Sequence, residues 1–246
     1  MISASGFRPL RRGLHRDLVD TLGRRIVDGV IAPGESFPNE ADLSAELDVS
    51  RTVVREAMKV LASKGLVTTR PKTGTRVMPR ARWNLIDPDV LHWQFGEAAD
   101  EGLLRELSEV RLIVEPGAAA LAAERRTEED LRDIVELLEI MGCSVGNADA
   151  YIHADLQFHG AILTAAHNDL LARMADTILE ALIASRRVTV RVPGGPSKAK
   201  QNHVDVVAAI TTRDRAGASG AMERLVQATW NDVETILHSD GGPAIS

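Results

Sequence analysis

The sequence predicts a mainly α-helical protein in two parts: a small N-terminal domain of three helices with a β-hairpin, and a C-terminal antiparallel bundle of six or seven helices. Apolar residues recur at helical spacing through most of the 246 residues, and only 3% are aromatic. The one β-prone region is a pair of short runs around a Pro-Lys-Thr-Gly turn. Residues 1–82 carry 15 Lys and Arg against 9 Asp and Glu, whereas the remainder carry 14 against 26. The basic N-terminal part therefore suits binding to a polyanion, and the acidic C-terminal part is expected to have a different role.

Composition excludes several classes of protein. Apolar residues make up 44% of the chain and charged residues 26%, which is typical of a globular protein. A single cysteine, Cys143, excludes an intramolecular disulfide, and there is no signal-peptide pattern and no run of about 18 apolar residues. We therefore expect a cytoplasmic protein with no membrane partner.

Three consecutive helices are predicted at the N-terminus. The first is indicated by apolar residues four apart, namely Leu14, Leu18, Leu22, Ile26 and Val30, and Pro33-Gly34 ends it. The second is short and begins after Asn39, a possible N-cap. The third has an apolar face made of Val53, Val54, Ala57, Val60 and Leu61.

The other face of the third helix is basic. Ser50 stands where an N-cap belongs, and Arg51, Thr52 and Arg55 project from the first turn and a half, the part of a recognition helix that reaches base edges and phosphates. The alternative is a solvated amphipathic helix that merely carries a few arginines. The segment that follows decides between the two.

After Gly65, a helix-ending glycine, residues 66–70 and 75–78 read as two strands, and Arg70, Lys72 and Arg76 supply charges for DNA. Three helices and a basic hairpin form a winged helix-turn-helix, which favours DNA binding.

The motifs of this region resemble the DNA-binding domain of GntR-family transcription regulators. They are Pro38-x-Glu40-x-x-Leu43, Val49-Ser50-Arg51-Thr52-x-Val54-Arg55-Glu56-Ala57, Leu61-x-x-x-Gly65-Leu66-Val67 and Gly74-Thr75-x-Val77. The resemblance implies that Ser50, Arg51, Thr52 and Arg55 contact the operator, with Thr73 and Gly74 entering beside Lys72 from the wing. Ala41 stands where some relatives carry a DNA-contacting arginine.

The domain organisation follows from these patterns. Residues 1–79 are predicted to form the DNA-binding domain, residues 80–96 a linker in which Pro88 interrupts any helix, and residues 97–240 the helical bundle. Trp83 and Trp93 are either anchors between the two domains or core residues of the second.

Polar residues interrupt the apolar stripes of the bundle. The first long helix has a stripe of Leu103, Leu107, Val110, Val114, Ala118 and Leu121, with Arg111 beside it. Arg111 needs an anionic partner, which is either Glu115 or the carboxylate of a ligand. Asp155 and His159 share an inward face four residues apart, and His203 points inward from another helix. They are either hydrogen-bonded core residues or an Asp/His/His metal site.

The bundle resembles the effector domain of the FadR-type (FCD) subgroup of the GntR family. The motifs are Glu109-Val110-Arg111-x-x-x-Glu115-Pro116, Asp155-x-x-Phe158-His159, His203-Val204-x-Val206-Val207 and Ala221-Met222. In metal-binding relatives an aspartate and three histidines hold a divalent ion. The resemblance implies a zinc-like ion on Asp155, His159 and His203, with Leu225 at the position of the fourth ligand.

The linker Arg82-Trp83-Asn84-x-x-Asp87-x-Asp89-Val90-Leu91-x-Trp93 is similar to that of sugar-acid (galactonate-type) repressors. We therefore expect a homodimeric repressor that binds a near-palindromic DNA operator. A small organic or sugar acid would bind to Arg111, Asp155, His159 and His203 and would release the repressor from the operator. The alternatives are a metal-dependent enzyme using Asp155, His159 and His203, and a constitutive DNA binder that needs no effector.

Overall fold

A computed structural model describes residues 14–70, 74–94, 101–189 and 195–239. The chain divides into two compact units, Met1–Gly96 and Glu97–Ser246. The predicted fold class is confirmed, because a winged helix-turn-helix with a two-stranded wing precedes an all-helical unit. Among the described residues, no helix is both long and apolar enough to cross a membrane.

The described part of the first unit contains four α-helices and the wing. Its elements are α1 (Leu14–Val27), α2 (Glu40–Leu47), α3 (Arg51–Ser63), β1 (Val67–Arg70), β2 (Gly74–Val77) and α4 (Pro88–Gln94). Strands β1 and β2 are antiparallel, with Val67 opposite Val77. The apolar faces of α1, α2 and α3 meet in one core, which includes Leu18, Leu22, Leu43, Val54 and Leu61. This core holds the basic face of α3 outward.

Side-chain caps fix the beginnings of α2 and α3. The Asn39 side chain accepts hydrogen bonds from the backbone N–H groups of Ala41 and Asp42, both at 3.0 Å. The Ser50 hydroxyl accepts one from the backbone N–H of Val53 at 3.3 Å. Each cap satisfies amides that the first helical turn leaves without partners. Both predicted N-caps are present.

The first helix is shorter than its apolar pattern predicts. It ends at Val27, and Gly29 follows with a φ of +73°, so the chain turns away and Val30 is 60% exposed. Ile31 is instead buried in the core. The prediction of a buried Val30 is wrong, because the glycine conformation stops the periodicity before that residue.

Residues 80–94 fold onto the first unit. A 3-10 turn over Arg80–Arg82 leads into α4, and Pro88 is the first residue of that helix. The expectation that Pro88 interrupts a helix is wrong, since proline is well tolerated at a first helical position. The Trp93 indole donates a hydrogen bond to Asp20 at 2.7 Å, and that of Trp83 to the Met78 carbonyl at 2.9 Å. Both tryptophans therefore pack in the core of the first unit.

The described part of the second unit forms six helices. They are α5 (Glu101–Arg125), α6 (Glu128–Cys143), α7 (Ala148–Ala165), α8 (Asp169–Thr189), α9 (Gly195–Thr211) and α10 (Arg215–Ser239). Helix α10 packs along α5 and α9, and α7 packs against α6 and α8. The prediction of a helical bundle is confirmed.

The buried face of α5 differs from the predicted stripe. Val110 is 43% exposed, whereas Arg111 and Glu115 are each 1% exposed and lie among buried residues of the same helix. The prediction that Val110 is buried with Arg111 at the edge is wrong. Compared with the predicted stripe, the buried face of α5 is shifted toward Arg111 and Glu115. Both side chains can enter the core because they pair with each other.

Candidate functional site

Two sites are candidates, one in each unit. On the first unit, Arg51, Thr52 and Arg55 lie exposed on the first two turns of α3. The Ser50 hydroxyl caps the same helix, and the Arg55 guanidinium pairs with Glu40 of α2. The beginning of α3 thus presents two arginines and a threonine on one surface, which suits contact with phosphates and base edges.

The wing adds a second basic element. Arg70 and Arg76 are exposed on paired strands and stand next to the turn. Gly74 has a φ of +75°, and a side chain there would meet no atom within 4 Å. Lys72 and Thr73, which the sequence analysis placed in the DNA contact, lie outside the described residues.

The second unit has a cluster of charged and polar side chains buried in its core. Each member is at most 5% exposed, and together they come from α5, α7, α8, α9 and α10. The members are Arg111, Glu115, Asp155, His159, Arg186, His203 and Thr229. One ligand atom from each of Asp155, His159 and His203 lies within 4.8 Å of the other two. The sequence thus located three residues that the fold brings together, and we call the set the buried cluster.

Arg111 and Glu115 form an ion pair on one side of the buried cluster. Arg111 Nε donates to Glu115 Oε1 at 2.6 Å, while Arg111 NH2 is buried without a hydrogen-bond partner. Burial alone would raise the pKa of Glu115, but the charge of Arg111 and the contact with the His159 ring outweigh it and lower the pKa to about 2. Glu115 is therefore ionised, and its pair with Arg111 leaves the NH2 group of the guanidinium without a hydrogen-bond partner.

His159 lies between the two carboxylates of the buried cluster. Its Nδ1 is 2.6 Å from Glu115 Oε2, in close contact with a charged carboxylate. Burial lowers the pKa of His159 and outweighs the attraction of Glu115, so the ring is neutral. Nε2, 3.3 Å from Arg186 NH2, is then the acceptor.

Arg186 was not identified from the sequence. Its Nε donates to Asp155 Oδ2 at 2.5 Å and its NH1 to the Thr229 hydroxyl at 3.0 Å. Burial would raise the pKa of Asp155, but Arg186 and the His203 hydrogen bond hold it below its usual range. The sequence does carry a signal, because Ile178, Leu182 and Arg186 are four residues apart on one helical face.

His203 connects the buried cluster to a pocket. Its Nε2 is 3.1 Å from Asp155 Oδ1, and its Nδ1 is 2.8 Å from the Ala199 carbonyl. The ring also lines a pocket between α6, α7 and α9, together with Tyr151 and Lys200. One histidine therefore borders both the charged core and a small pocket.

The donor types of Asp155, His159 and His203 suit a zinc-like ion. Their surroundings do not, because Arg186 already donates to Asp155 Oδ2 and approaches His159 Nε2. Leu225, fully buried, offers no fourth ligand. With Arg186 in this position, the residues present do not fit a divalent cation.

A winged helix followed by an all-helical unit with a polar cluster in its core defines a DNA-binding transcription regulator with a separate ligand-binding domain. Sequence comparison agrees. Residues 14–77 match the family described as "Bacterial regulatory proteins, gntR family", and residues 106–228 match the family described as "FCD domain". The chain belongs to the GntR family of bacterial regulators and carries an FCD domain.

Several curated relatives are similar to this chain. The galactonate operon transcriptional repressor of Escherichia coli K12 is 38% identical over 65% of this chain and 70% of its own length. LutR of Bacillus subtilis is 32% identical over 68% and 74%, and NanR of Cronobacter sakazakii is 29% identical over 92% and 88%. These relatives are transcription regulators, so the prediction of a ligand-responsive DNA-binding regulator, and not an enzyme, is confirmed.

The solved structure of Lar, which controls the expression of the Listeria monocytogenes agr system, has the same fold. It superposes with a TM-score of 0.64 at 18% identity, covering 92% of this chain and 99% of the other. The likeness extends over both the winged helix and the helical bundle.

Proposed function

We propose that this regulator is a repressor whose FCD domain binds a small carboxylate, such as a sugar acid, in the buried cluster and then releases the operator. The observation that carries the proposal is Arg111, which is 1% exposed and has an NH2 group without a partner. A buried guanidinium edge without an acceptor costs free energy that a carboxylate ligand would recover.

The rest of the buried cluster suits a polyhydroxy acid. His159, Asp155 and His203 offer both donors and acceptors within a few ångströms, as hydroxyl groups require. A small pocket bordered by Tyr151, Lys200 and His203 lies next to the buried cluster, and the exposed Lys200 attracts an anion. The name of the galactonate operon repressor points to the same class of ligand.

Effector titrations of an operator complex test this role. D-Galactonate and related sugar acids should lower the fluorescence anisotropy of labelled operator DNA bound to the wild type. Arg111→Ala should abolish release while leaving DNA binding intact, and Arg111→Lys should not restore it, because a point charge cannot reproduce the guanidinium fork. Arg105→Ala is the matched control, since Arg105 is an exposed arginine on the same helix. Normal release from the Arg111→Ala protein would exclude the role.

We also propose that Ser50, Arg51, Thr52 and Arg55 contact the operator, with Lys72, Thr73 and Gly74 entering from the wing. A homodimer would place two α3 helices on a near-palindromic site. Arg51→Ala and Arg55→Ala should each weaken operator binding about 5- to 150-fold if they read bases. Full affinity in the double variant would contradict this assignment.

The remaining predictions concern boundaries, compartment and metal. We propose residues 1–79 as the DNA-binding domain, 80–96 as the linker and 97–240 as the effector domain, acting in the cytoplasm where the operator is.

A metal ion on Asp155, His159 and His203 stays a prediction that the proximity of these residues supports and Arg186 opposes. We propose the effector role for the three residues without the ion.

A further inference from the structure

We propose that Arg186 takes the place of a divalent cation in the buried cluster, so that effector binding by this regulator is independent of metal. The inference rests on the proposed effector role of the cluster. It starts from the position of the guanidinium, which is 4% exposed and lies against two of the three residues that could hold an ion.

Arg186 uses the atoms that a metal would need. Its Nε donates to Asp155 Oδ2 at 2.5 Å, and its NH2 is 3.3 Å from His159 Nε2. The other Asp155 oxygen lies 3.1 Å from His203 Nε2. The two oxygens of Asp155 and Nε2 of His159 thus each contact a side-chain nitrogen, and an ion would have to displace the guanidinium to bind.

The guanidinium is also fixed from the opposite side. Its NH1 donates to the Thr229 hydroxyl at 3.0 Å, and that hydroxyl donates to the Leu225 carbonyl at 3.0 Å. Leu225, where the family resemblance puts a fourth ligand, is apolar and fully buried. Helix α10 therefore supplies a hydroxyl that holds Arg186 instead of an imidazole that would hold a metal.

Charge favours the arginine over an added ion. Asp155 and Glu115 balance Arg186 and Arg111, with which they form ion pairs. A divalent ion would add two positive charges next to a buried guanidinium, where repulsion is poorly screened. Arg186 thus supplies a permanent cation that remains in place when metal supply changes, and the effector's oxygen atoms would meet it beside Arg111.

Zinc binding by full-length variants tests this proposal without any effector. Four proteins are treated with EDTA, freed of it, and titrated with zinc chloride: the wild type, Leu225→His, Arg186→Ala/Leu225→His and Arg173→Ala/Leu225→His. Leu225→His supplies a third imidazole as the fourth ligand, and Arg173 is an exposed arginine on the same helix as Arg186. Bound zinc per chain and the thermal midpoint are measured.

We expect only Arg186→Ala/Leu225→His to bind one zinc per chain and to gain in thermal midpoint, and adding His203→Ala to it should abolish the gain. A folded Arg186→Ala/Leu225→His protein without zinc would overturn the proposal. The wild type and Leu225→His decide the matter even if removal of Arg186 prevents folding, since stoichiometric zinc in either would show that the guanidinium does not exclude the ion. Failure of every sugar acid to release DNA would overturn the effector role and leave these zinc results unchanged.

Discussion

Glu40 on α2 holds the guanidinium of Arg55 on α3. Arg55 Nε is 3.1 Å from both oxygens of Glu40, and NH2 is 2.6 Å from Oε2. The hydrogen bond from Arg55 lowers the pKa of Glu40, so the carboxylate is charged on the surface that we assign to DNA. Both side chains are largely exposed, and exposed ion pairs add little to stability. We therefore expect the pair to orient Arg55 and to repel phosphates that approach in the wrong register.

Removing Glu40 should weaken specificity rather than affinity. We expect Glu40→Ala to bind random DNA more tightly, because a negative charge is lost, and to show a smaller ratio of operator to random-DNA affinity, because Arg55 is no longer oriented. Glu56→Ala is the control of equal charge, since Glu56 pairs with Lys59 on the same helix. It should raise both affinities without changing their ratio. An unchanged ratio in Glu40→Ala would contradict the orienting role.

Among the glycines that the structure describes in the first unit, Gly65 is expected to be the most sensitive to substitution. Its φ is +77°, and a Cβ there would lie 2.1 Å from the Arg82 carbonyl oxygen. Gly29 has a similar φ of +73° but no atom within 4 Å of that position. Gly29→Ala should therefore cost about 1 kcal/mol from backbone strain alone, and Gly65→Ala clearly more. Calorimetry of the two full-length variants measures the difference, and equal losses would exclude a steric role for Arg82.

Exposed apolar residues on α5 and α8 suggest where two copies meet. Ile113 is 79% exposed and Leu170 75%, and the two helices pack together through Ala118 and Ala175. Ile113→Asp should shift the protein from dimer to monomer in sedimentation equilibrium and weaken operator binding, because a dimer engages both half-sites. Ile140→Asp, on the exposed side of α6, should leave the mass unchanged. A dimeric Ile113→Asp protein would place the interface elsewhere.

Local chemistry explains why most of the first unit was predictable. Asn39 and Ser50 sit immediately before apolar residues at helical spacing, and each caps its own helix through atoms two or three residues away. Gly65 ends α3 through bonds within the same turn, from its own N–H to the Ala62 carbonyl and from the Leu66 N–H to the Leu61 carbonyl. Such features depend only on neighbours in the chain.

The second unit was less predictable because its polar residues depend on partners from other helices. Asp155, His159 and His203 interrupt apolar stripes, so their convergence could be expected. The shift of the buried face of α5 toward Arg111 could not be predicted, since burial of Arg111 requires both Glu115 and the neighbouring His159. Arg186 was missed because an arginine near a helix end usually faces solvent, and only Asp155 and Thr229, distant in sequence, make its burial favourable.

The buried cluster should also make the second unit sensitive to acid. Burial lowers the pKa of His159 below its ordinary value of 6.5, so as the pH falls through 6.5 the unfolded chain takes up a proton that the folded protein does not. Stability is therefore complete above pH 6.5 and decreases below it. Glu115 acts in the same direction further down, because its pKa is lowered from 4.5 to about 2 and its contribution is lost as the pH falls through that interval.

The interval that belongs to His159 is tested by calorimetry of full-length protein between pH 8 and pH 5, above the interval that belongs to Glu115. His159→Gln removes the first proton, so the thermal midpoint of the second unit should change less between pH 7 and pH 5 than in the wild type, whatever the cost of the substitution at pH 8. His153→Gln is the matched control, because His153 is exposed on the same helix. It should preserve the wild-type pH dependence. Equal slopes in His159→Gln and the wild type would show that the pKa of His159 does not differ between the folded and the unfolded protein.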